Sequence, residues 1–194
     1  MIEEDNFAEN YEELDLSTEE IIDKEFEDCT FNHCDFSSTV FKQCKFSECT
    51  FKACDMSLIS VLDSQFSACV FEDCKIIGVD WSKASWTALT QRMNKFKSCV
   101  LNDSSFWGLK LESIMISACE ARDVDFREAN LTEADFSDTD FSEALFRNTN
   151  LTKADFTHAR NFNIDFRVNT LLGAKFSRYE AVRLLSGVGI ELVD

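Results

Sequence analysis

A chain of 194 residues with 45% hydrophobic side chains has the size of one ordinary domain and enough apolar surface for a continuous core. Its 19 Phe, absence of Pro and 5 Gly exclude a turn-rich sandwich or a doubly wound fold. A net charge of -17, the lack of an apolar run able to span a bilayer and the acidic start Met1-Ile2-Glu3-Glu4-Asp5 argue against nucleic-acid binding, a membrane span and a secretory leader, and predict a cytoplasmic protein.

Residues 1–25 hold eleven acids against Lys24, a net of -10. Tyr11, Leu16 and Ile21 already keep the five-residue spacing that dominates the rest of the chain, but Glu9, Leu14 and Glu19 stand two residues before them. This predicts an irregular first coil or a short helix acting as a cap. From Phe26 the period is regular, and 17 of the 19 Phe fall at positions that leave remainder one on division by five. Helices and simple strands have periods of 3.6 and 2 and cannot produce this. All 9 Cys lie two residues before such a central position, a slot filled later by Ala129, Ala134, Thr139, Ala144, Thr149, Ala154, Ala159 and Ala174. One large and one small apolar side chain per unit predict a narrow interior that both must fill. Cys in this slot is a small hydrophobe.

The pattern weakens at Gln91, Ala121 and Asn161, and it resumes in phase each time. An insertion must therefore be a multiple of five residues. Thr87 to Lys95 is the candidate, with Gln91, Arg92, Met93 and Asn94 as the possible loop. Ser177-Arg178-Tyr179-Glu180 has the form of a capping box and predicts a short helix over about 178–186, followed by an apolar tail. The predicted organisation is an acidic cap (1–25), a repeat body (26–176) and a C-terminal helix and tail (177–194).

Catalysis needs a concave pocket with convergent groups, and a rod with a sealed core offers none, so no enzyme activity, cofactor or metal is expected. His33 and His158 face outward. The cysteines show no Cys-x-x-Cys spacing and read as inert structural thiols. Charge is the more informative feature. Stacking residues twenty apart places Asp63, Lys83, Asp103, Asp123 and Glu143 in one outward column, with Asp80, Glu120 and Asp140 beside it, and the column breaks if five residues bulge out at Thr87 to Lys95. The competing reading is that Asp is simply common just before the central residue.

The spellings Ala-Asn-Leu-Thr-Glu at 129–133, Ala-Asp-Phe-Ser-Asp at 134–138 and Ala-Asp-Phe-Thr-His at 154–158 resemble the pentapeptide-repeat family. That resemblance implies an all-β fold, a right-handed quadrilateral β-helix (pentapeptide-repeat solenoid) with a short C-terminal helix. At about twenty residues per coil and about 4.8 Å between coils, the body would have roughly seven to eight coils and a length near 36 Å. Within the family, the length, the Phe-x-x-Cys-x-Phe texture and the C-terminal helix leading into Val188-Gly189-Ile190 are similar to the Qnr quinolone-resistance proteins and the topoisomerase-poison immunity proteins. This second resemblance implies a homodimer through the C-terminal helix, where Tyr179, Val182 and Leu185 make an apolar face. It also implies that the acidic rod binds DNA gyrase or topoisomerase IV and protects it from quinolones or toxins. A structural or scaffolding repeat protein with an unrelated partner is the alternative.

Overall fold

The computed structural model describes residues 5–86 and 94–188. In it the period of five becomes a stack of parallel turns, each residue lying beside the one twenty positions further on. Strand β1 (Asp5–Phe7) pairs with β4 (Glu25–Glu27), β4 with β7 (Lys45–Ser47), and β7 with β9 (Gln65–Ser67). A second ladder runs through β2 (Asn10–Glu12), β5 (Thr30–Asn32), β8 (Thr50–Lys52), β10 (Val70–Glu72), β11 (Lys95–Lys97) and β12 (Met115–Ser117). The pairs β3 (Glu20–Ile22) with β6 (Val40–Lys42) and β13 (Asp155–Phe156) with β14 (Lys175–Phe176) complete the strands. The result is a β-solenoid of about 8 turns, nearly all β, with four five-residue units per turn. The first turn is more regular than the sequence suggests. Asn6 holds its place in the interior by donating to the Glu25 carbonyl (3.1 Å) and accepting from the Tyr11 hydroxyl (2.7 Å).

Most units turn the corner two residues after the centre, where φ is positive, for example at Asp28 (54°), Asp103 (60°) and Glu143 (58°). A non-glycine residue in this left-handed conformation costs about 1 kcal/mol. The cost is offset because the corner N–H bonds to the next turn, as Ala8 does to Glu27 O and Asp103 to Arg122 O, both at 2.9 Å. Asp and Asn tolerate this conformation better than most side chains, which explains part of the Asp content without any reference to function.

Inside, central side chains stack with the ladder. Tyr11, Phe31, Phe51, Phe71 and Phe96 form one column, their ring centroids 4.9, 4.8, 5.0 and 4.7 Å apart and near parallel. Neighbouring columns meet edge to face, as Phe26 and Phe31 do at 5.5 Å and 68°. Burial of each such ring contributes roughly 2–3 kcal/mol, so the columns supply much of the driving force.

The small slot has a second task. Every Cys thiol donates to the carbonyl of a central residue on the preceding turn: Cys29 to Asn6, Cys34 to Tyr11, Cys49 to Phe26, Cys69 to Phe46 and Cys99 to Phe71, at 3.4–3.6 Å. Those carbonyls belong to centres of three-residue strands, where the corner is wide and makes no internal bond. Ala154 and Ala174 stand at the same offset from Leu131 and Leu151, but there the corner is tight and its own amide satisfies the carbonyl, Ala134 N–H to Leu131 O and Ala154 N–H to Leu151 O, both 3.1 Å. Every Cys thus stands over a central carbonyl that its own turn leaves without an internal partner, and Ala154 and Ala174 over carbonyls that the turn has already satisfied.

Two interruptions matter. Val70 faces Lys95 and Asp80 faces Ser105, an offset of twenty-five, so five added residues lie between Trp86 and Asn94. Both ends are fixed: Trp86 Nε1 donates to Trp81 O (2.8 Å), while Asn94 accepts from Cys69 N–H (2.8 Å) and donates to Phe66 O (3.0 Å). Asn94 is therefore a buried anchor in a small slot and not part of a projecting loop; Gln91, Arg92 and Met93 lie outside the described residues. Near the C-terminus Phe146 faces Ile164, an offset of eighteen, and Phe162 and Ile164 fill the interior. Phe166, in phase with the central positions, is consequently turned out and 44% exposed. A 3-10 helix, Glu180–Val188, follows β14.

Since Cys49 is fully buried and its Sγ caps Phe26 O, Cys49→Val should lose about 1–2 kcal/mol in urea denaturation, whereas Cys49→Thr, which keeps a donor, should stay near wild type. Equal loss in both would show that the thiol acts only by volume. Burial also pushes the Cys49 thiol up to about 12, so thiol reagents at pH 8 should label it only after denaturation.

Candidate functional site

Among the described residues no group of three or more His, Cys, Asp or Glu is placed to hold a metal, and the depressions are shallow surface grooves. One of them, about 610 Å³, is lined by residues including Arg127, Leu145, Arg147 and Val168. The outward charges are the more ordered feature.

The five added residues rearrange the predicted column. Asp63 lies beside Lys83 (Asp63 N–H to Lys83 O, 3.0 Å), but Asp103 lies beside Gly78 (Gly78 N–H to Asn102 O, 2.9 Å). Asp63 and Lys83 are therefore in a different column from Asp103, Asp123 and Glu143, and Asp80 aligns with Ser105 and Asp125, not with Glu120 and Asp140. What the seven predicted acids share is not a column but a neighbourhood. The side of the solenoid built on Val61, Trp81, Phe106, Phe126 and Phe146, here the fourth side, carries Asp80 along its middle, Asp103, Asp123 and Glu143 along one corner, and Asp63 on the other. Glu120 and Asp140 lie on the adjoining third side. Counting twenty-five across the interruption also brings in Asp125 and Glu128, which the sequence reading missed.

These acids are of two kinds. Those just before a central residue turn back to the chain: Asp80 accepts from Ser82 N–H (3.1 Å), Asp125 from Arg127 N–H (3.0 Å), and Asp140 from Ser142 N–H (3.1 Å). Asp80 and Asp125 also have cationic neighbours, Lys83 at 3.9 Å and Arg127 at 2.7 Å. Asp140 departs furthest from an outward site. It is 4% exposed, accepts from Asn161 Nδ2 (2.9 Å) and the Ser142 hydroxyl (2.7 Å), and lies 3.4 Å from Arg122 and 3.5 Å from Arg160. Burial alone would raise its carboxyl; the Asn161 and Ser142 hydrogen bonds, with Arg160, outweigh this and hold it at about 2. Asp140 is a structural clamp. Glu120 stands 3.6 Å from Arg122.

The corner acids behave differently. Asp63, Asp103, Asp123 and Glu143 are exposed, and none is in an ion pair among the described residues. Asp103 N–H bonds to Arg122 O and Asp123 N–H to Ser142 O, each 2.9 Å, so Asp103, Asp123 and Glu143 occupy three successive turns as an unneutralised edge. At the C-terminus Tyr179 is 87% and Val182 46% exposed, while Leu185 is half-buried.

The model of the pentapeptide repeat region matches residues 24–95 and 88–156, more than half of the chain. The chain belongs to the pentapeptide-repeat family. As a pentapeptide-repeat protein it is similar in structure to full-length QnrB1, a plasmid-mediated fluoroquinolone resistance protein, with 23% identity over 96% of this chain and 100% of that one and a TM-score of 0.62. A trypsin-treated variant of QnrB1 aligns over 94% of this chain and 99% of that one, also at 23% identity, with a TM-score of 0.57. HetL, a pentapeptide repeat protein involved in heterocyst differentiation regulation from the cyanobacterium Nostoc, aligns over 87% and 85% at 15% identity and a TM-score of 0.42. No curated protein sequence matches the chain.

The Asp140 clamp has a defined pH signature. With its carboxyl depressed, its contribution is complete above the ordinary carboxylate range and is lost as pH falls from about 4 through about 2. Asp140→Asn should therefore lower the melting temperature at pH 7, by the equivalent of roughly 2 kcal/mol, and the gap to wild type should close towards pH 2. A gap independent of pH would show that the charge is not what stabilises.

Proposed function

We propose that this pentapeptide-repeat protein is a non-enzymatic binding protein that engages DNA gyrase or topoisomerase IV by partial DNA mimicry, and thereby protects the enzyme from quinolones or toxins. The observation that carries the reading is the corner edge of Asp103, Asp123 and Glu143. Three exposed, unpaired carboxylates at strand spacing, about 4.8 Å apart, present a linear anionic track to a partner that otherwise grips phosphates. In the right-handed quadrilateral form implied by the repeat, such a corner runs straight along the rod. The likeness in fold to QnrB1, a plasmid-mediated fluoroquinolone resistance protein, adds support. Six net negative charges over the body are too few to imitate a whole duplex, which carries about one charge per 1.7 Å. Mimicry is therefore confined to one edge. No helix among the described residues is long and apolar enough to cross a membrane, in keeping with a protein that meets a topoisomerase in the cytoplasm.

The protein acts as a homodimer in this proposal, joined through the exposed face of Tyr179 and Val182 with Leu185 beside it. An apolar helix face next to a strand edge is the part of the rod that most needs a partner. Removing residues 177–194 should reduce the mass in light scattering from two chains to one, and an unchanged dimer would place the contact elsewhere.

Complementary charge should make binding to gyrase weaken steeply with salt and compete with duplex DNA. Asp123→Lys with Glu143→Lys should not lower the melting temperature and should reduce affinity about tenfold or more, with loss of any inhibition or protection in a supercoiling assay. An equal loss on reversing Glu12 and Glu13, far along the rod, would show that total charge and not this edge is responsible. No binding by the wild-type protein at micromolar concentration would sink the topoisomerase reading.

A further inference from the structure

The acidic edge shares the fourth side with a second feature that electrostatics does not explain. Leu58, Leu62 and Trp107, on the turns where that edge begins, are 63%, 42% and 48% exposed. Leu62, Ser82 and Trp107 occupy equivalent outward positions on three consecutive turns, and Leu58 and Gly78 occupy the adjoining corner. Glycine takes one position on each flanking corner, Gly78 and Gly108. At Gly78 a Cβ would come within 2.8 Å of Leu58 Cδ2, so glycine is what allows Leu58 to lie across the corner. At Gly108, directly after Trp107, a Cβ would meet nothing within 4 Å. Glycine at both corners leaves an apolar shelf with a large indole standing beside open space. Its rim holds Asp63, Asp80, Asp103 and Asp125 against two cations, Lys83 at 3.9 Å from Asp80 and Arg127 at 2.7 Å from Asp125 one turn beyond Trp107, so its balance is acidic, and Asp103 is also the first residue of the edge.

We infer that Leu58, Leu62 and Trp107 form an apolar anchor that seats in a hydrophobic depression within the basic surface of the protein partner, adjoining the contact made by the acidic edge. The inference rests on the reading of the fourth side as the partner-binding side. An acidic rim selects a partner with basic surroundings and disfavours nucleic acid. A second copy of this chain is disfavoured as well, because opposing two fourth sides would set Asp103, Asp123 and Glu143 against their own counterparts. What remains is a basic protein surface with an apolar centre, the arrangement in which a tryptophan at the middle of an interface, ringed by polar groups, carries most of the binding. Affinity then has two separable parts. The edge supplies a salt-dependent part, and the anchor supplies a part insensitive to salt.

The test uses the full-length chain and purified gyrase, with affinity measured at several salt concentrations. Trp107→Ala should weaken binding tenfold or more at every salt concentration, leave the slope of log affinity against log salt unchanged, and leave the melting temperature unchanged because the ring is outward. Trp107→Phe should recover part of the loss. Asp123→Lys with Glu143→Lys should do the reverse and flatten the slope. If the wild type binds and Trp107→Ala binds equally well, or flattens the slope, the anchor is overturned while the function stands. If Trp107→Ala instead abolishes a concentration-dependent self-association, the occupant is a second copy and the inference fails. A wild type that binds no topoisomerase overturns the functional reading itself, and with it this partner for the anchor.

Discussion

The parallel hydrogen-bond ladder, with its spacing of about 4.8 Å, fixes every other distance in this protein. Rings on consecutive turns are brought to 4.7–5.0 Å along the column from Tyr11 to Phe96 because the backbone beneath them repeats at that interval. The same spacing sets the corner bonds that offset the left-handed conformations, and it places each small-slot side chain over one carbonyl of the preceding turn. A carbonyl at a wide corner has no amide of its own unit to bond, and leaving it unsatisfied in the interior would cost about 1–3 kcal/mol. The Cys thiols meet that need at every wide corner beneath them, while Ala154 and Ala174 stand over tight turns that have already met it.

The ladder also decides which charges are neutralised. Away from the fourth side, cations sit one turn away from acids: Lys45 with Glu25, Lys75 with Asp55 at 3.2 Å, Lys97 with Glu72 at 3.1 Å, Lys153 with Glu133 at 2.7 Å and Lys175 with Asp155 at 3.0 Å. Such exposed pairs contribute little to stability, about 0–1 kcal/mol each, but each neutralises the acid it meets. The edge of Asp103, Asp123 and Glu143 has no such partners among the described residues. Like charges stacked at strand spacing repel, so the edge costs the fold some stability, which is the physical reason to connect it with a partner and not with folding.

Asp140 illustrates how two acids of similar appearance in the sequence diverge. Asp140 and Asp123 both lie close to the corner between the third and fourth sides, yet Asp140 is enclosed by Asn161, Ser142, Arg122 and Arg160, while Asp123 faces solvent. The interruption at 161–168 produces this difference, because it brings Asn161 back over the Asp140 carboxylate. A departure from the repeat thus helps to enclose the buried Asp140 carboxylate.

The sequence by itself determined the repeat, the inward positions and the small-slot role of Cys, since a period of five with alternating large and small side chains is a one-dimensional signal that the ladder merely copies. It also located the interruption between Trp86 and Asn94, because those residues break the pattern. Only the tertiary structure decided which outward residues are neighbours. Five added residues preserve the phase of five and shift the stacking offset from twenty to twenty-five, so nothing in the period reveals that Asp63 and Asp103 belong to opposite corners. Nor does the sequence reveal that Leu58 lies over Gly78 or that Trp107 stands beside them on the same side. Inward positions follow from local periodicity, whereas neighbours on the surface depend on the count of residues around each whole turn, and a single interruption changes that count for everything beyond it.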